Sequence, residues 1–242
     1  MMDGSVVILG VGAANGVGGA LARRFASEGH HVIVAGRTLE KVEAVAANVS
    51  DAGGSAEAFR ADVTSEQDQD ALFETVASKG PVAAVLYNAG NNAIIPFEKL
   101  DAETFEAFWK VGCLGAFHTA KRAIPILKDQ GQGSLFFTGA SGSLRGKANF
   151  AHFASMKGAL RMLAQSLARE FGPMGVHVAH FIIDGVINGE MARSRFAEYL
   201  DNLGEGGSLS PDAIAEAFWY VHNQSRTAWT HELDLRPFKE NW

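Results

Sequence analysis

A short β-branched run that ends in a string of glycines constrains this chain more than any other feature. Residues 5–10 read Ser-Val-Val-Ile-Leu-Gly, and after Val11 come Gly12-Ala13-Ala14-Asn15-Gly16-Val17-Gly18. From 18 to 27 the apolar residues Ala20, Leu21 and Phe25 fall at helical spacing. Glycines permit the tight turn and let the backbone come close to a bound pyrophosphate. The helix that follows offers free N–H groups and the positive end of its dipole to the phosphates. With 27 glycines in the chain, the spacing alone could arise by chance. Its place between a strand and an amphipathic helix is what the chemistry requires. Gly12, Asn15, Gly16, Val17 and Gly18 are therefore the expected nucleotide-binding positions.

The rest of the chain repeats the alternation. Apolar strands are expected at 31–35, 83–87, Ser134–Thr138 and 176–183, with a weakly alternating one at 56–60 and a last one at Glu232–Leu235. Helices are expected at 39–52, Glu66–Ser78, 102–129, 148–171 and Pro211–His222, the last with proline in its first turn. Strands and helices that alternate about every 25–30 residues mean βαβ units on a parallel sheet. Strand runs that are apolar throughout are those buried by helices on both faces. The fold class is therefore α/β, a doubly wound Rossmann-type parallel sheet. No linker composition and no repeat divides residues 1–242, so one domain is expected. In such sheets ligands sit beyond the carboxyl ends of the strands, and the chemistry is sought there.

Composition removes other classes. A net charge of −6 leaves no basic footprint for nucleic acid. No apolar stretch approaches the roughly 20 residues of a membrane helix. Met1 leads almost directly into the first strand, without the basic and apolar regions of a signal peptide. Cys113 is the only cysteine and suits a reducing compartment, so a cytoplasmic location is expected, and no metal site is.

The second strand bears on which nucleotide binds. An NAD site places a carboxylate about 20 residues beyond the glycines, on the ribose 2′-hydroxyl. Here the strand ends Val34-Ala35-Gly36-Arg37, with no acid. The Arg37 fork suits a 2′-phosphate, which favours NADP(H) over NAD(H), although an arginine there can also be a plain solvated residue. Asp62-Val63, after the third strand, would lie near the adenine, or Asp62 would serve a turn or cap. Asn88-Ala89-Gly90, after the fourth, would floor the cleft.

Taken together, the glycines at 12, 16 and 18, Asp62-Val63, Asn88-Ala89-Gly90 and Lys157 in a long helix resemble the short-chain dehydrogenase/reductase family over nearly the whole chain. The resemblance implies a seven-stranded Rossmann-type sheet, NAD(P) binding and hydride transfer between a carbonyl and an alcohol of a small-molecule substrate. It also implies a homodimer or homotetramer packed through the two long helices. The family's catalytic set is a Tyr-x-x-x-Lys pair, a serine upstream and an asparagine in the preceding long helix. The tyrosine moves the substrate proton, the lysine holds the nicotinamide ribose and lowers the tyrosine's pKa, and the serine bonds the substrate oxygen.

At three of those four positions the chain differs: Phe153 stands for the tyrosine, Ala140 for the serine and Gly112 for the asparagine. Lys157 remains, favoured for cofactor binding over proton transfer. Asp184-Gly185 replaces the usual Pro-Gly after the sixth strand, with Gly185 still expected at the cofactor. A one-residue shift would bring in Ser141. At helical spacing Asn149, Phe153 and Lys157 share a face, so Asn149 could orient a water or a substrate oxygen. His152 points about 100° away and reads as a surface or interface residue. Asp184 is a candidate base, or a turn or cap carboxylate. The aromatic stripe Phe105, Phe108, Trp109 and Phe117 reads as core or subunit interface, and residues 190–208, with Gly204, Gly206 and Gly207, as a substrate lid. Three functions stay open: an NADP(H)-dependent oxidoreductase with rearranged proton transfer, a non-catalytic NADP(H)-binding sensor or partner subunit, and non-redox chemistry on the same fold.

Overall fold

The computed structural model describes residues 4–240. Seven parallel strands form one sheet in the order β3-β2-β1-β4-β5-β6-β7. The strands are β1 (Ser5–Leu9), β2 (His31–Gly36), β3 (Ser55–Arg60), β4 (Val82–Tyr87), β5 (Ser134–Thr138), β6 (His177–Ile183) and β7 (Glu232–Leu235). The helices are α1 (Val17–Ala26), α2 (Leu39–Asp51), α3 (Glu66–Ser78), α4 (Ala102–Trp109), α5 (Gly115–Gln130), α6 (Ala151–Phe171), α7 (Glu190–Leu203) and α8 (Pro211–His222).

The burial pattern explains the unbroken apolar strands. Along β1, Val6 and Ile8 join one core while Val7 and Leu9 join another on the opposite face. Val32 and Val34 of β2 face the first core, and Ile33 and Ala35 the second. Alternating side chains point to opposite faces, so a strand covered on both needs apolar residues at every position. The first core holds α1, α2 and α8; the second holds α3, α5 and α6. β3 pairs only with β2, and its residues are half-buried or exposed, which is why its pattern is the weakest of the inner series.

Two expected helices have different bounds. The stretch from 102 to 130 is α4, one π-helical turn at Lys110–Leu114 and then α5. A π turn displaces the helical hydrogen bonds, and the buried Tyr87 hydroxyl donates to the Val111 carbonyl there. The helix expected from 148 starts only at Ala151, because Asn149 has a left-handed backbone, φ 68°. Among the described residues, no helix is long and apolar enough to cross a membrane.

Candidate active site

The chain winds outward from β1 to β3 and then crosses back to β4 on the other side of β1. The loops leaving β1 and β4 diverge at this reversal, which is where open α/β sheets form their ligand crevice. At its base, Gly10 (φ 82°) and Val11 both donate to the Ala35 carbonyl, at 3.0 and 2.9 Å. A Cβ on Gly10 would stand 2.3 Å from the Ala89 backbone, so the loops after β1 and β4 touch only because residue 10 is glycine. Gly12 faces open space. Gly16 caps α1 with extended backbone, no side-chain cap closes that end, and no acidic residue lies in the first turn. Asn15 is exposed, while Val17 and Gly18 are buried behind the loop. The first N–H groups of this helix end thus have no side-chain partner among the described residues.

Arg37, at the end of β2, is exposed and makes no hydrogen bond or ion pair among the described residues. Asp62 forms a turn: its carboxylate accepts from the Thr64 backbone N–H and hydroxyl at 2.9 and 2.7 Å. Val63 is buried, and its carbonyl accepts from the buried Gln69 amide at 2.7 Å. Gln69 also bonds Gly115 and Thr119, so it ties the segment after β3 to α5. Sequence reasoning missed this residue, since a glutamine on an amphipathic helix carries no signal of burial.

From the cleft floor a polar chain runs inward. The Asn88 amide donates to Gly10, and its carbonyl accepts from the Thr138 hydroxyl at 3.1 Å. The Lys157 ammonium donates to the Thr138 carbonyl at 2.7 Å. Lys157 is buried, and burial pushes it down to about 8. Ala89 is buried and Gly90 exposed, and a Cβ on Gly90 would stand 3.3 Å from the lysine nitrogen. Residues 88–90 and Lys157 therefore meet through Thr138 and at Gly90.

Beyond β5 the side chains engage one another instead. Ala140 starts a 3-10 turn, Ser141–Ser143, and Ser141 has no side-chain hydrogen bond among the described residues. Ser143, which sequence reasoning passed over, is the serine with partners. Its hydroxyl oxygen accepts from the Ala140 N–H at 3.2 Å and lies 3.3 Å from His180 Nε2. His180 Nδ1 is 3.1 Å from Glu232, which Arg161 grips with two bonds of 2.7 Å. Burial holds His180 down to about 4, while the Arg161 bonds hold Glu232 below the usual carboxylate range. This chain lies beneath the Thr138–Ser143 turn and is closed to the cleft, since His180 is fully buried and Ser143 nearly so.

Three expectations for this half need correction, and position 112 adds a fourth finding. Asn149 is exposed and lies before α6, so it does not share a helical face with Phe153 and Lys157. Its left-handed backbone instead offers its carbonyl to Ile95 at 3.0 Å. His152 is not a surface residue: it is 1% exposed, its ring 4.3 Å from that of Phe108. Asp184 is no free base. It is 1% exposed, takes two-pronged contact from Arg145 at 2.8 to 3.1 Å, and has Arg236 at 3.7 Å. Position 112 is not a vacant place for an asparagine, because a Cβ there would stand 2.0 Å from Met156 Cγ and Sδ. The buried Met156 fills the space that a larger residue on the π turn would use.

Gly185 follows Asp184, with Pro237 of the C-terminal segment packed against it. A Cβ on Gly189 would be 3.1 Å from the Asn15 carbonyl, so this segment reaches the glycine loop. Asn188 donates to Leu209, and Leu209 to Val186, both at 2.8 Å. These bonds close the base of the 190–208 excursion, which is mostly α7, broken at Phe196. Of the aromatic stripe, Phe105, Trp109 and Phe117 are part-exposed and Phe108 meets His152.

Comparison with known proteins gives the lineage. A family model described as short chain dehydrogenase matches residues 6–200. The uncharacterized oxidoreductase YuxG of Bacillus subtilis is 32% identical over 226 residues, covering 92% of this chain. The alignment takes in 32% of that protein, so this chain spans about a third of its length. The 3beta-hydroxysteroid dehydrogenase 1 of Eggerthella lenta is 30% identical over 236 residues, 93% of this chain and 89% of that one. The crystal structure of a short-chain dehydrogenase from Rhodopseudomonas palustris superposes with a TM-score of 0.84 at 32% identity, covering 98% of this chain and 100% of that one. By profile, by sequence and by fold, this chain belongs to the short-chain dehydrogenase family.

Proposed function

We propose that the protein is an NADP(H)-dependent oxidoreductase that moves a hydride between the cofactor and the carbonyl or alcohol carbon of a small-molecule substrate. The observation that carries the cofactor choice is Arg37, exposed and unpaired at the end of β2 where an NAD site would carry an acid. Its guanidinium would hold the 2′-phosphate by charge-assisted bonds. The residues present suit the rest of the dinucleotide. Gly12 and the uncapped start of α1 leave room and donors for the pyrophosphate. Asp62 and Val63 would flank the adenine. Lys157 is a buried ammonium with one acceptor among the described residues, so of its two other N–H bonds one could hold a ribose hydroxyl. Gly185 would border the nicotinamide. When bound, the cofactor supplies or takes the hydride. The half-exposed Phe105, Trp109 and Phe117 would pack in a homodimer or homotetramer.

The test is a titration of the purified protein with NADPH and, in parallel, NADH, read by nicotinamide fluorescence. NADPH is expected to bind ~10- to 100-fold more tightly, the worth of a charged bidentate contact of about 1.5–3 kcal/mol. Equal affinities would refute the role of Arg37, and binding of neither would refute the cofactor reading.

A second reading, an NADP(H)-binding sensor or partner subunit without turnover, is favoured by one set of observations. Phe153, Ala140 and the Met156-filled space at Gly112 leave the family's proton chemistry without its usual groups. Cofactor binding without turnover of any carbonyl or alcohol would establish it.

A further inference from the structure

We propose that the Lys157 ammonium is itself the proton donor to the substrate oxygen, and that its amine form takes the proton in the reverse direction. This rests on the cofactor reading above and adds a role to that lysine.

Ser141 is unbonded among the described residues, but an alcohol hydroxyl is too weak an acid to give up a proton near neutral pH, and the groups that follow are spent, turned away or without a proton. Phe153 and Ala140 have no proton to give. Asp184 is buried between Arg145 and Arg236. His152 packs on Phe108 on another side of α6. His180 is committed on both ring nitrogens to Ser143 and Glu232. The Tyr87 hydroxyl is held by the Val111 carbonyl. Lys157 differs from all of them. One of its N–H bonds goes to Thr138, and no carboxylate pairs with it among the described residues. Toward Gly90, which is exposed, only a hydrogen atom stands where a side chain would lie 3.3 Å from Nζ.

The surroundings suit the task. β5 offers the Thr138 carbonyl, and the loop after β4 offers Gly90 and Asn88, all uncharged. The π turn offers Gly112. From β6 comes His180, neutral near pH 7, backed by the mutually paired Glu232 and Arg161. Burial pushes Lys157 down to about 8, so the ammonium can release a proton near neutral pH. In the reducing direction an Nζ–H bond breaks and an O–H bond forms as the carbonyl π bond opens. The carbon receives the hydride of the reduced cofactor. Lys157 is left as a neutral amine and regains a proton from water.

The first readout needs neither cofactor nor substrate. Carbon-13 NMR of protein labelled at the lysine ε-carbons should show one lysine titrating near pH 8, missing from Lys157→Met. The second compares parent and Lys157→Arg with NADPH and a panel of o-quinones, aromatic aldehydes and cyclic ketones. Arginine keeps the charge and the donors but holds its proton too firmly to give it up. We expect turnover at saturating NADPH to fall by ~10²-fold. Adding Phe153→Tyr to Lys157→Arg should restore part of that turnover. Circular dichroism of both Lys157 variants guards against misfolding, and the NMR titration of the parent does not depend on them. A lysine titrating only above pH 10, or Lys157→Arg turning over like the parent, overturns the proposal. So does a parent that binds NADPH but is inert while Phe153→Tyr is active. A parent that binds no NADPH overturns the cofactor reading and this proposal with it.

Discussion

The loops on the two sides of β4 treat their polar groups in opposite ways. On the β1–β2 side several have no internal partner among the described residues. The start of α1 has no side-chain cap, Gly12 faces open space, and Arg37 has no partner among the described residues. On the β5–β6 side they are used internally. Ser143 is tied to His180, His180 to Glu232, Asp184 to Arg145, and Met156 fills the hollow at Gly112. A surface that leaves donors unpaired is built to receive a ligand, since buried or half-buried polar groups are otherwise satisfied from within. A surface that satisfies itself is built to hold a shape. On the function proposed above, this contrast predicts that cofactor binding and turnover can be changed separately.

Breaking the first side should have the largest effect. Gly10→Val would push a branched side chain into the Ala89 backbone at a left-handed φ, and should cost ~3 kcal/mol or more. Thermal unfolding monitored by circular dichroism should show a collapse of Tm or no folded protein. A Tm near that of the parent would mean that the contact between the loops after β1 and β4 is looser than described.

Gly112→Asn probes the filled hollow on the other side. It should destabilise by about 1–3 kcal/mol through overpacking against Met156. Combining it with Met156→Ala should recover much of that loss, because the two positions share one space. Denaturant unfolding of the single and double variants measures the coupling. Additive costs would mean that Met156 does not fill the place of a larger residue.

The smallest effect concerns acid. His180 and His222 are buried and held down to about 4 from the ordinary 6.5. The unfolded chain therefore binds more protons between those values, and stability falls as pH drops from about 6.5 toward 4. Tm should decline through that window and do so less steeply in His222→Gln. A Tm that is flat down to pH 4 would contradict the burial of these rings.

How much of this was legible in the sequence follows from the same contrast. The strand–helix alternation, the glycine loop and residues 88–90 were readable because each depends on local pattern: periodicity, spacing and place after a strand. The helix from Glu66 to Ser78 and the strand from Ser134 to Thr138 have the bounds the pattern suggests. The second side was harder to read, because its contacts join residues far apart in the chain. His180 meets Ser143 across 37 positions, and Arg145 meets Asp184 across 39. No spacing rule carries such pairings, so Asp184 reads as a candidate base or a turn or cap carboxylate, and Ser143 as nothing in particular. Asn149 was misplaced for a local reason: its left-handed backbone delays the helix by three residues, from 148 to 151.

The separability of the two sides is tested most directly by single-turnover kinetics in the parent and in the double variant Phe153→Tyr/Ala140→Ser, with the NADPH Kd measured for both. The account predicts Kd values within ~3-fold of each other and carbonyl reduction raised by ~10²-fold in the double variant, the gain typical of a positioned acid. Affinity that shifts as much as the rate, or no gain in rate on any carbonyl tested, would contradict it.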